Sequence, residues 1–144
     1  MKRRFLLISF VPLLLTACGV LSGGKAVLPE AENLERIVLT ADRLNLTITD
    51  ADSITQLLEL LKTSARQNTG KPGIQDVPDQ GIGLIQIDFG FKKGGTGTVF
   101  LYREDTGLFM EQPCQGIYAM DEALETRLRT QIAQELASQI TKQE

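Results

Sequence analysis

Eighteen carboxylates, two cysteines and no histidine limit the chemistry open to this 144-residue chain. Without imidazole, the Ser-His-Asp and Cys-His arrangements that generate a nucleophile are excluded, as are the common histidine-bearing zinc sites. A cysteine nucleophile needs a base or an electropositive setting to lower its pKa. Cys114, between Pro113 and Gln115, has neither nearby in sequence. The carboxylates offer more. Asp76 and Asp79 stand three apart and can present oxygen to a hard cation. Two carboxylates are few for such a site and the EF-hand spacing is absent, so a solvated loop is the plainer reading. Glu111 could flank a glycosidic bond, but that chemistry needs a second acid and nothing in the sequence selects one. Beside the Pro113 turn, Glu111 is more simply a solvent-facing side chain. Gly94-Gly95-Thr96-Gly97 opens onto a strand pattern, whereas a phosphate-cradling glycine motif opens onto a helix N-terminus. It reads as a hairpin turn. Gly70-Lys71-Pro72 lacks the Ser or Thr of a Walker motif. Aromatic stacking surfaces are thinly supplied: there is no Trp, and Phe89, Phe91, Phe100 and Phe109 fall in strand patterns, leaving Tyr102 and Tyr118.

The N-terminus carries an address rather than chemistry. Lys2, Arg3 and Arg4 precede an apolar run of 11 residues, Phe5 to Leu15, broken by Pro12. A basic stretch, a short apolar stretch and small residues before a cut form a secretory signal peptide. The run is too short to span a bilayer, which takes about 20 apolar residues. A buried helix is disfavoured by the basic flank and the lack of a polar face.

Leu15-Thr16-Ala17-Cys18 resembles the bacterial lipoprotein box, Leu-x-(Ala/Gly)-Cys. The resemblance implies that residues 1–17 are removed and that the thiol of Cys18 receives a diacylglyceryl group, so that palmitate-type lipid holds the mature protein on a membrane. Two or more acyl chains anchor stably where one does not. Cleavage removes Lys2, Arg3 and Arg4, which leaves 12 Lys+Arg against 18 Asp+Glu, a mature net charge of -6. Such a domain repels phosphate backbones, so no nucleic-acid partner is expected. With Cys18 lipidated, Cys114 is an odd thiol, most simply a small buried hydrophobe.

The elements that position these residues follow from periodicity. Residues 18–33, with Ser22-Gly23-Gly24, read as a flexible tether, and residues 34–141 as one domain. Leu34–Thr40 and the alternating Leu44, Leu46 and Ile48 predict a hairpin around Ala41-Asp42-Arg43. Asp50 caps a helix whose Ile54, Leu57, Leu58 and Leu61 share one face. Residues 67–82 predict a long loop. Ile85 to Phe91, Thr96 to Arg103 and Leu108 to Glu111 predict a three-stranded meander. Gln112 to Gly116 predicts a tight turn, with Gly116 at a left-handed backbone angle. Asp121 and Glu122 open a last helix with Leu124, Leu128, Ile132, Leu136 and Ile140 at four-residue spacing. That stripe drifts around a helix of 3.6 residues per turn, so its last turns leave the core. The reading is α+β: a single domain, an antiparallel sheet of about five strands with two helices, in the order β-β-α-β-β-β-α.

Ile48-Thr49-Asp50 at the helix start and Glu111-Gln112-Pro113-Cys114-Gln115-Gly116-Ile117-Tyr118 resemble small lipoprotein domains of Gram-positive bacteria of the YhfM-like type. The resemblance spans about residues 34–120 and implies a fold and an address, but no activity. The function read from the sequence is a membrane-anchored envelope lipoprotein with a non-catalytic binding domain, facing outside the cytoplasm. Its partners are the membrane, through Cys18, and an envelope protein; no cofactor, metal or catalytic residue is expected. Asp76, Asp79, Glu111 and Tyr118 are the candidate binding residues, on loop 67–82 and the Pro113–Tyr118 turn. The alternatives are a carboxylate-dependent envelope hydrolase and an inhibitor or immunity-type lipoprotein.

Overall fold

A computed structural model describes residues 24–71, 73 and 82–142. After a short 3-10 turn, η1 (Ala31–Asn33), come β1 (Leu34–Ala41), β2 (Leu44–Ile48), α1 (Ala51–Ser64), β3 (Ala65–Asn68), β4 (Ile82–Phe91), β5 (Thr96–Glu104), β6 (Gly107–Gln112), β7 (Gly116–Met120) and α2 (Ala123–Thr141). All seven strands form one antiparallel sheet in the order β2-β1-β4-β5-β6-β7-β3. The α+β class and the two helices are as the periodicity predicts, but the strand number is larger. The added strands are β3, in what reads as the start of a loop, and β7, just after the Pro113 turn.

Strand alternation decides which side is core. Ile37, Leu39, Leu46, Ile48, Ile87, Phe89, Val99, Leu101, Met110, Tyr118 and Met120 all project from one face and are buried there with the helices. Register locks them together: Ile37 lies opposite both Ile48 and Phe89, and Met110 opposite both Leu101 and Tyr118. A one-residue slip would turn every one of these side chains to the other face.

Helix α1 starts where Asp50 accepts hydrogen bonds from the backbone N and the Oγ of Ser53, each at 3.0 Å. These bonds hold its carboxyl below the usual range. Ile54, Leu57, Leu58 and Leu61 are buried on the sheet. Ser64, at the end of α1, is 1% exposed and its Oγ makes no hydrogen bond. A buried hydroxyl without a partner costs about 1–3 kcal/mol. Ser64→Ala should therefore raise the melting temperature, a gain readable in a thermal melt of the mature domain.

Helix α2 lies across the same face. Leu124 and Leu128 are buried, Ile132 packs on the core, and Leu136 and Ile140 are exposed, as the drift of a four-residue stripe requires. Gln139 Nε2 still donates to the Thr47 carbonyl at 2.8 Å, holding the late turns over β2. No described helix is long and apolar enough to cross a membrane.

The segment expected as tether is partly fold. Leu28 is 5% exposed within the core. Val27 donates its N–H to Gln112 Oε1 (3.3 Å), and its carbonyl accepts from Gln112 Nε2 (2.9 Å). The side-chain amide thus pairs with the backbone of Val27 as a neighbouring strand would. Residues 24–33 therefore belong to the domain, a correction to the expected boundary at residue 34; residues 18–23 lie outside the described part.

Candidate functional site

The two helices cover one face of the sheet; the other face divides into two halves of different chemistry. On the β5–β7 half, Phe100 and Tyr102 of β5, Phe109 and Glu111 of β6, and Ile117 and Ala119 of β7 project away from the helices. Phe100 lies opposite Glu111, Tyr102 opposite Phe109, and Glu111 opposite Ile117. The rings of Tyr102 and Phe109 stack with centroids 6.0 Å apart. Phe100 and Tyr102 are each 5% exposed, and Glu111 is 1% exposed. The Tyr102 hydroxyl is pushed up to about 12, first by burial and then by the carboxylates of Glu111 and Glu104.

Toward β4 the same face becomes polar. Gln86 Nε2 donates to both oxygens of Asp88, at 3.1 and 2.8 Å, and Thr98 Oγ1 donates to Asp88 at 2.6 Å. Beyond them Arg36, Thr40, Asn45 and Thr47 are exposed. An open groove of about 680 Å³ wraps the sheet end near Gln86, Phe100 and Pro113, and neither Asp88 nor Glu111 lines it. Among the described residues no cluster of three or more acidic or cysteine side chains is placed to hold a metal ion. The aromatic half of this face and its one carboxylate are buried, and the polar half holds a hydrogen-bonded trio.

Two of the four expected binding residues are described, Glu111 and Tyr118, and they do not come together. Asp76 and Asp79 lie outside the described residues. Glu111 does not face solvent as expected; the alternation of β6 turns it onto the aromatic face and buries it. Tyr118 is opposite Met110, on the helix side, and 4% exposed. Glu111 and Tyr118 thus occupy opposite faces of the sheet. Loop 67–82 and the Pro113 turn do meet, at Gly73. A Cβ at Gly73 would fall 2.3 Å from the Gln112 carbonyl oxygen and 3.2 Å from the Gly116 nitrogen. Only glycine fits so close to backbone. Residues 26–29, Gly73 and the β6–β7 turn therefore converge on Gln112. Sequence reading missed Gln112 and Gly73, because a polar residue after an alternating run gives no sign that its amide will be buried against a distant backbone.

The β6–β7 turn also differs in detail. Gln115 N donates to the Gln112 carbonyl at 3.0 Å, closing a four-residue turn with Pro113 second and Cys114 third. Cys114 has φ 63 and Gly116 has φ 157, both positive. Proline in the second place with a positive φ in the third is a type II turn, in which the third residue is usually glycine. Gly116 thus has the positive angle expected of it, and Cys114 adds a second one that the sequence does not announce. Nor is Cys114 a buried lone thiol: it is half-buried and held in a disulfide. Cys114→Gly should be more stable than Cys114→Ala by about 1–2 kcal/mol, since both lack the sulfur and only alanine strains the left-handed angle. Paired denaturant melts of the two variants read that difference directly.

Ion pairs decorate the rest of the surface. Arg103 bonds Glu122 at 2.9 Å and Glu125 at 2.7 Å, and Arg129 bonds Glu125 at 2.8 Å. Arg66 bonds Asp121 at 2.9 Å. These exposed pairs tie α2 to β5, and β3 to Asp121 just before α2.

A seven-stranded antiparallel sheet with two helices on one face defines a small α+β domain. The chain belongs to the family described as a domain of unknown function (DUF5300), whose model matches residues 23–119. That span runs from the segment docked beside Gln112 through β7, and α2 lies beyond it. Neither a curated protein nor a solved structure matches the chain.

Proposed function

We propose that this protein is a cell-envelope lipoprotein, fixed through lipid on Cys18 to the outward side of a membrane, whose domain binds an envelope partner without catalysing a reaction. The observation that supports this most directly is the apolar run ending in Leu15-Thr16-Ala17-Cys18, with Val27 and Leu28 docked on the sheet only nine and ten residues later. The domain is thereby held near the bilayer, and no described helix supplies another means of membrane attachment. The convergence of loop 67–82 with the β6–β7 turn at Gly73 favours this end of the sheet as the contact surface, with Asp76 and Asp79 of that loop contributing.

Chemistry at sulfur sets a condition. The sequence has only two cysteines, Cys18 and Cys114, so a disulfide within the chain consumes the sulfur that a diacylglyceryl thioether needs. Bridge and lipid are alternatives on any one molecule. Cys18→Ser should leave the protein unprocessed or move it from the membrane fraction to the soluble one, as fractionation and immunoblotting would show. A correctly processed Cys18→Ser protein that still sediments with membranes would overturn the reading.

A further inference from the structure

We propose that the sheet edge formed by β3, with Lys25 and Lys62 beside it, is the face the domain lays against anionic lipid headgroups; the inference rests on the lipid-anchor reading above. A groove of about 550 Å³ runs between residues 24–26 and β3, lined by Lys25, Lys62 and Arg66 and by no carboxylate. Lys71 follows the end of β3 by three residues and is exposed. Two of these four cations have partners, Lys62 at 3.6 Å from Glu30 and Arg66 at 2.9 Å from Asp121. Lys25 and Lys71 make no ion pair with a described residue. With Glu30 and Asp121 counted, these six described side chains carry two net positive charges, on a mature chain whose net charge is -6.

Position gives this local excess its meaning. Gly24 lines the groove, and Cys18 is six residues before it. Six extended residues reach at most about 20 Å, so the anchor keeps this edge near the bilayer. Attraction between exposed charges fades over about 8 Å in physiological salt, which makes the cations beside the tether the ones an anionic surface feels. Some acidic residues lie away from the groove. Asp42 is in the β1–β2 turn, Glu104 and Asp105 are at the β5–β6 turn, and Glu122 reaches Gly107 of that turn. An anionic membrane therefore draws the β3 edge toward it.

The test uses the mature lipidated protein on vesicles of phosphatidylcholine alone or of an equal mixture with phosphatidylglycerol. Each lysine's rate of acylation by an amine-reactive ester is followed by mass spectrometry. On the anionic vesicles Lys25, Lys62 and Lys71 should react at least about threefold more slowly than on neutral ones, while Lys92, Lys93 and Lys142 keep their rates. High salt should remove the protection, and so should the double variant Lys25→Gln, Lys71→Gln, read at Lys62. Flotation with both vesicle types but equal rates at all six lysines would overturn the docking face alone. Failure to float with phosphatidylcholine would overturn the anchor, and this inference with it.

Discussion

Leu57→Ala should destabilise the domain by about 3–5 kcal/mol, the range for removing a fully enclosed leucine and leaving its space unfilled. Leu57 is 0% exposed and lies in the core where α1 meets the sheet. Its neighbours are fixed by strand register and by α2 packed alongside, so the site has little freedom to collapse. For a domain of this size each kcal/mol moves the melting temperature by about 4 °C, and a drop of 10 °C or more is expected. Leu136→Ala is the internal control. Leu136 is 40% exposed on α2, and its truncation should change stability by less than about 0.5 kcal/mol. Thermal melts of the two variants beside the parent measure both effects.

Gln112→Ala should cost about 2–3 kcal/mol, and its consequences should be local. The amide of Gln112 accepts from the N–H of Val27 and donates to its carbonyl, and the side chain is 5% exposed. Each lost bond is worth about 1 kcal/mol net, and more where a buried group is left without a partner. Amide hydrogen exchange should then accelerate over residues 26–29, while β1, β4 and β5 keep their protection. Uniform acceleration across the sheet would show that Gln112 supports the whole domain instead of tying down its N-terminal segment.

What could be read ahead of the structure follows from where the burial signal is strong. β1, β2, β4 and β5 alternate apolar and polar residues because one face is core, and α1 repeats apolar residues at helical spacing for the same reason. β3 gives no such signal. Its Arg66 and Gln67 are exposed on an edge strand paired only with β7, and its stability comes from backbone bonds and the Arg66–Asp121 pair. Polar edges of this kind are invisible to periodicity and useful to the protein, since they discourage strand addition. β7 was hidden differently: Gly116-Ile117-Tyr118-Ala119-Met120 is short and follows a proline turn, so it reads as the tail of that turn.

The candidate site was less legible than the fold. Glu111 was singled out by residue type, yet its burial depends on which side of β6 faces the helices, and a carboxylate at a core-like position argues for the solvent side until the second face is known to be aromatic. Phe100 and Phe109 were assigned to a single core because the pattern cannot tell one buried face from two. Val27 and Leu28 are isolated apolar residues without period. Only their docking beside Gln112 separates them from a linker.

The central claim, that Cys18 holds the protein on a membrane by lipid, is tested most directly by the intact mass and thiol count of the protein extracted from membranes. The account predicts a chain that begins at Cys18 and is heavier than residues 18–144 by the mass of its acyl groups. An unlipidated chain with no titratable thiol, its two cysteines bridged, would contradict it.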